Sequence, residues 1–163
     1  ELSTMVLVPQ VVNAVKIPVI AAGGIADARG VVAALALGAE GVQMGTRFLA
    51  TNESLAHINY KQTVIGACDT DTIVTGRKSE VAARSIKNEF VAELLQKEAG
   101  GLSKEELLKF IGAGRVQKAV IEGDVEGGTM LCGSIAGMMS EVMSAGEVIQ
   151  SIVQDYEAIL ARL

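Results

Sequence analysis

Tryptophan is absent, and three Phe and two Tyr are the whole aromatic set of a 163-residue chain. So thin a supply offers no stacking platform for single-stranded nucleic acid. Positive charge is short as well. Fourteen Lys and Arg against 19 Asp and Glu leave a net charge of −5, which gives no electrostatic footprint for DNA, RNA or anionic lipid. No apolar run nears the roughly 18 residues that a spanning helix needs, so no membrane partner is expected. Histidine occurs once and cysteine twice. Cys68 and Cys132 match no metal-ligand spacing, so no metal is expected, and two distant thiols fit a reduced, cytoplasmic protein. The opening ELSTMVLVPQ lacks both an initiator Met and the basic segment of a signal peptide, and reads as the interior of a longer chain.

What remains is 50% apolar, with 18 glycines. Ala, Val, Ile and Gly supply much of it, the composition of closely packed α/β layers. The length suffices for one domain with a real core. It falls short of a complete (β/α)8 barrel, which takes roughly 250 residues.

The most informative stretch is Pro18 to Phe48, PVIAAGGIADARGVVAALALGAEGVQMGTRF. Val19 to Ala22 is a continuous apolar run, as in a buried parallel strand. Asp27 is placed to N-cap a helix over 28–37, with Gly38 as its stop. Gly41 to Met44 reads as the second strand. A short helix over 8–15, with Pro9 in its first turn, precedes this unit. Beyond Phe48 the rhythm becomes mainly helical. Helices are predicted over 52–65, 79–96, 103–110, 115–121, 130–143 and 145 to the end, with a short strand over 69–74. Ser103 with Glu106, and Ser144 with Glu147, are capping boxes. The reading is therefore α/β, with a parallel βαβ part over 1–50 and a mainly helical region over 51–163.

The βαβ unit carries the chemistry. Gly23-Gly24 and Gly45-Thr46 end two successive strands that would lie side by side if parallel. Backbone N–H groups without a Cβ in the way can close around a phosphate there. Thr46 offers a hydroxyl and Gln43 a side chain facing inward. Met44 fits the site or the core. Arg47 reads equally as a phosphate partner or as half of a structural ion pair. His57, in a polar stretch without an acidic neighbour, reads as a surface residue. Asp69, Asp71, Glu122, Asp124 and Glu126 fit no cation loop and read as loop and cap residues. Arg84, Lys87 and Asn88 read as one solvated helix face, and Gly133 and Gly137 as a close helix contact.

The segment PVIAAGGIADARG…LGAEGVQMGTRF resembles the flavin-phosphate segment of the FMN-dependent (β/α)8 barrels, the nitronate monooxygenase (2-nitropropane dioxygenase-like) superfamily. ESLAHINYK, RSIKNEF, GAGRVQKAVIEGDVEGG and CGSIAGM are similar, in order, to the C-terminal portion of enoyl-acyl-carrier-protein (enoyl-ACP) reductase II. Ser134 departs from the family pattern, which has Gln there. The resemblance implies the last βα units of a TIM barrel followed by a helical cap. It implies FMN held by Gly23, Gly24, Gln43, Met44, Gly45 and Thr46, with NADH or NADPH as reductant. The implied activity is reduction of trans-2-enoyl-ACP thioesters in fatty-acid biosynthesis. The alternatives are oxidation of alkyl nitronates, and an inactive fragment with a folding or oligomerisation role. The catalytic residue is unknown, since the family's catalytic histidine segment would precede Glu1. A two-stranded open sheet leaves edges and an apolar face uncovered, so a homo-oligomer, a dimer, is expected.

Overall fold

In a computed structural model, the structure describes residues 2–162. Helix α1, Thr4–Ala14, leads into strand β1, Ile20–Ala22, helix α2, Ala28–Ala36, and strand β2, Gly41–Gln43. β1 and β2 are parallel, with Ile20 opposite Gly41, Ala21 opposite Val42 and Ala22 opposite Gln43. Asp27 caps α2, accepting from the N–H groups of Arg29 (2.9 Å) and Gly30 (3.3 Å). Its carboxyl sits below the usual range, first because the Arg29 side chain hydrogen-bonds it. Gly38 follows α2 at φ +97°, and a Cβ there would lie 2.9 Å from Val12 of α1. That close approach, as much as the turn, requires glycine.

Pleat alternation divides β1. Ala21 is buried in a cluster with Val8, Ile25, Ala34 and Ala39. Ile20 and Ala22 face the other way and are exposed, Ile20 by 56%. The βαβ unit thus has one face covered by helices and one open. α1 begins at Thr4, earlier than position 8, which puts Pro9 inside the helix rather than in its first turn. The proline forfeits one helical hydrogen bond. Ser3 starts the helix instead, its carbonyl accepting from the N–H groups of Val6 and Leu7.

After the one-turn helix α3, Thr46–Leu49, come α4, Ile58–Gly66, and a hairpin of β3, Thr72–Thr75, and β4, Ala83–Ile86. Then follow α5, Glu89–Ala99, α6, Lys104–Ile111, α7, Arg115–Val120, and α8, Ala145–Leu160. The helix expected over 52–65 starts only at Ile58, where His57 caps it. The helix expected over 79–96 is divided. Residues 83–86 pair with β3, Thr72 opposite Ile86. Asn88 then caps α5 by accepting from the Val91 N–H at 2.9 Å. The helix expected over 130–143 is extended backbone with a single 3-10 turn, Ala136–Met138. Two of its amides go to tertiary partners, Cys132 N–H to Arg84 O and Gly133 N–H to Thr46 Oγ1, and those of Ala136, Met138 and Met139 close local turns. The close helix contact read at Gly133 and Gly137 is therefore absent as such. A Cβ at Gly137 would instead lie 2.6 Å from the Asp69 amide nitrogen.

Two further apolar clusters sit beyond Phe48. One gathers Tyr60, Val64, Met130, Cys132, Ile135, Ala136 and Met139; the other Phe90, Val91, Leu94 and Leu107. Both capping boxes are present, at Ser103 with Glu106 and at Ser144 with Glu147. α8 packs on α2. Its residues 148, 152, 156 and 159 form the inward stripe, while Ile149 and Val153 stay exposed. Among the described residues no helix is long and apolar enough to cross a membrane.

Candidate functional site

The parallel register sets the site. Ala22 and Gln43 are paired, so the two turns that follow them emerge side by side. Gly23 and Gly24 have φ of +96° and +75°, backbone that side chains rarely adopt. The Thr4 hydroxyl donates to the Gly23 carbonyl at 2.7 Å and fixes the first turn to α1. A Cβ at Gly45 would meet nothing within 4 Å, so the second turn presents open backbone. Gln43 lies exposed on the open face of the sheet with Ile20 and Ala22. Met44 packs against the Val8–Ala21 cluster and supports the turn from below.

Thr46 ties the turns to the distant segment. Its Oγ1 accepts from the Gly133 N–H at 2.8 Å, and its hydroxyl also hydrogen-bonds the Cys132 thiol. Gly133 and Ser134 in turn line a cavity of about 720 Å³ with Gly23, Gly24, Gly30 and Arg84. Among the described residues no Asp or Glu lines it, and Arg84 is the one cation that does. The structure therefore joins the first glycine turn to Arg84, Gly133 and Ser134. Of the six residues expected to hold FMN only Gly23 and Gly24 line that cavity; Gln43, Met44, Gly45 and Thr46 are not part of its wall.

Sequence reasoning put Arg84 on a solvated helix face. It lies in β4, with Nη1 donating to Thr72 Oγ1 at 3.1 Å. Its neighbour Ser85 points through the other face of the strand. RSIKNEF contains the Asn88 cap that would have ended the strand early enough to place both. Arg47 sends Nη2 to the Met143 sulfur. His57, expected at the surface, is half-buried. Its Nδ1 accepts from the Asn59 N–H at 3.1 Å, and its ring fills the space above Gly123, which explains it structurally. Asp71, Asp124 and Glu126 accept from the backbone N–H groups of Cys68, Gly127 and Glu89. Among the described residues no group of His, Cys, Asp and Glu is arranged to hold a metal.

Behind the site, burial pushes the Cys132 thiol up to about 11, opposed by a hydrogen bond with Thr46. Tyr60 is raised in the same direction by burial, with Cys132 adding to it. For both groups the folded chain favours the protonated form. Their contribution to stability is complete below the unfolded values near 9 and 10, and is lost as pH rises through the folded ones. Urea midpoints are therefore expected to stay level from pH 7 to 8.5 and to fall between pH 9 and 11. Cys132→Ala should flatten the first part of that fall. A midpoint unchanged at pH 11 would show that neither group is desolvated as described.

The family model described as nitronate monooxygenase matches residues 1–155. FabK from Thermotoga maritima is 40% identical, with a TM-score of 0.93, over 99% of this chain and 51% of its own. Nitroalkane oxidase from Streptomyces ansochromogenes is 30% identical, with a TM-score of 0.81, over 99% of this chain and 46% of its own. A probable nitronate monooxygenase of Staphylococcus haemolyticus is 54% identical over 97 residues, 60% of this chain and 27% of its own length. The chain thus spans about half of the solved structures, and the match about a quarter of the curated relative.

Proposed function

The chain belongs to the nitronate monooxygenase family, and from that premise we propose that its paired glycine turns are the phosphate grip of an FMN-dependent oxidoreductase. The observation that carries this is the parallel register, which sets Gly23-Gly24 and Gly45-Thr46 next to one another at open strand ends. When bound, FMN supplies the redox chemistry. The chain's own residues bind and orient it. Backbone N–H groups of Gly23, Gly24 and Gly45 and the Thr46 hydroxyl take the phosphate, and among the described residues no carboxylate lines the adjoining cavity to oppose it. Gln43, exposed on the open face of the sheet, is available to the ring system, and Met44 buttresses the turn.

Residues 1–50 are read as the last βα units of an FMN-binding TIM barrel, and residues 51–163 as a helical cap. The reaction proposed first is NADH- or NADPH-dependent reduction of trans-2-enoyl-ACP thioesters, supported by the 40% identity with FabK, an enoyl-ACP reductase II, over nearly the whole chain. The second is nitronate oxidation, supported by the 54% identity with a probable nitronate monooxygenase. Anaerobic mixing separates them. NADH or NADPH bleaches the bound flavin of a reductase, and an alkyl nitronate bleaches that of a monooxygenase.

The grip itself is tested by titrating the chain with FMN and with riboflavin, which lacks the phosphate. FMN is expected to bind at least about tenfold more tightly, the effect of one or two charge-assisted hydrogen bonds. Equal affinity for the two would overturn the phosphate assignment, and no binding of either would favour an inactive, self-associating fragment.

A further inference from the structure

A second cavity, of about 320 Å³, lies between the β3–β4 hairpin, α5 and the start of α7. Its walls are mostly apolar, chiefly Phe90, Leu94, Ile111, Val116 and Leu131, with Thr75, Gln117 and Thr129 among them. Two groups in it are not satisfied within the protein. The Ser85 hydroxyl, in a residue only 1% exposed, has no hydrogen-bond partner. A buried hydroxyl left so is penalised, and native structures rarely carry one without a reason. The Arg115 guanidinium donates only to the carbonyls of Ile111 (3.2 Å) and Gly127 (2.8 Å) and lies 4.5 Å over the Phe90 ring. Among the described residues no carboxylate pairs with it, and no Asp or Glu lines the cavity.

The chemistry of an occupant follows from these walls. A guanidinium only donates hydrogen bonds, and the Ser85 hydroxyl has a proton to give, so the head group of a ligand must accept. One uncompensated cation matches one negative charge. Apolar walls match an apolar body. We propose that this cavity binds a medium-chain monocarboxylate, its carboxylate taken by Arg115 and Ser85 and its chain by Phe90, Leu94 and Ile111. The site is distinct from the glycine turns. β4 separates the two cavities, with Arg84 in the wall of one and Ala83 and Ser85 in the wall of the other.

Calorimetric titration of the chain with decanoate tests this, beside decan-1-ol and decylamine, all below the concentration at which they form micelles. Decanoate is expected to saturate one site per chain, decan-1-ol to bind at least about tenfold more weakly, and decylamine not to bind, as loss or reversal of a charge-assisted contact requires. Arg115→Gln should weaken decanoate about tenfold or more, and Ser85→Ala by a smaller factor. Arg115 also packs on Phe90, so its replacement can loosen the fold. Ser85→Ala removes a hydroxyl without a partner and should leave the urea midpoint level or raised, so its weaker binding is read on an intact protein. No saturable binding, leaving water only in the cavity, overturns the assignment. So does decanoate binding no tighter than decan-1-ol, or unchanged in both variants.

Discussion

Tyr60→Ala is expected to remove most of the stability of this chain. Tyr60 is fully buried, and its hydroxyl donates to the Leu131 carbonyl at 2.7 Å. Around it pack Val64, Met130, Cys132, Ile135 and Met139. Truncating a buried aromatic costs about 3–5 kcal/mol, and the abandoned carbonyl adds about 1–3 kcal/mol. Domains of this size are commonly stable by only about 5–15 kcal/mol. Tyr60 also pins residues 130–132, which have no helix of their own, against α4. Urea unfolding followed by circular dichroism should show the transition moved to low denaturant or lost. Tyr60→Phe keeps the packing and abandons only the Leu131 carbonyl, for about 1–3 kcal/mol. If Tyr60→Ala fell within 1 kcal/mol of the parent, the cluster would not be the keystone described.

Gly24→Asp is expected to abolish the preference for FMN over riboflavin. A Cβ at Gly24 would lie 4.0 Å from the Thr4 hydroxyl, so there is room for it. The backbone cost of a side chain at φ +75° is about 1–2 kcal/mol, and Asp and Asn bear it better than most residues. The new carboxylate would face the phosphate across the turn. Like charges so placed cost several kcal/mol, at least about a hundredfold in FMN affinity, with riboflavin affected far less. Gly24→Asn imposes the same backbone strain without the charge and should retain most of the preference. If Gly24→Asp and Gly24→Asn were alike for FMN, the phosphate would not sit at this turn.

The βαβ unit was legible because its signals are local and agree. Asp27 caps α2, Gly38 ends it, the first strand is an unbroken apolar run, and a glycine turn follows each strand. The later region was less legible because tertiary partners outweigh local pattern there. Ile86, Phe90 and Leu94 are all buried and spaced four apart, as on one helix face. Yet Ile86 belongs to a strand paired with Thr72, and the helix starts only after Asn88. Apolar periodicity cannot tell that juxtaposition from a helix; the cap could have. Residues 130–143 are apolar enough for a helix, but the Cys132 and Gly133 amides bond to Arg84 and Thr46, which no sequence window contains. The same remoteness hid the wall of the phosphate-side cavity. Gly23 and Gly24 stood out as glycines after a strand, whereas Arg84 and Ser134 join them only in three dimensions.

β4 is a single layer of backbone with one cavity on either side of it. Two ligands bound to one molecule obey thermodynamic reciprocity: whatever factor the first applies to the affinity of the second, the second returns to the first. Decanoate titrated with and without FMN, and FMN with and without decanoate, must therefore give one and the same ratio. A ratio of one would make the strand an insulator, and any other value would be the coupling free energy carried across it.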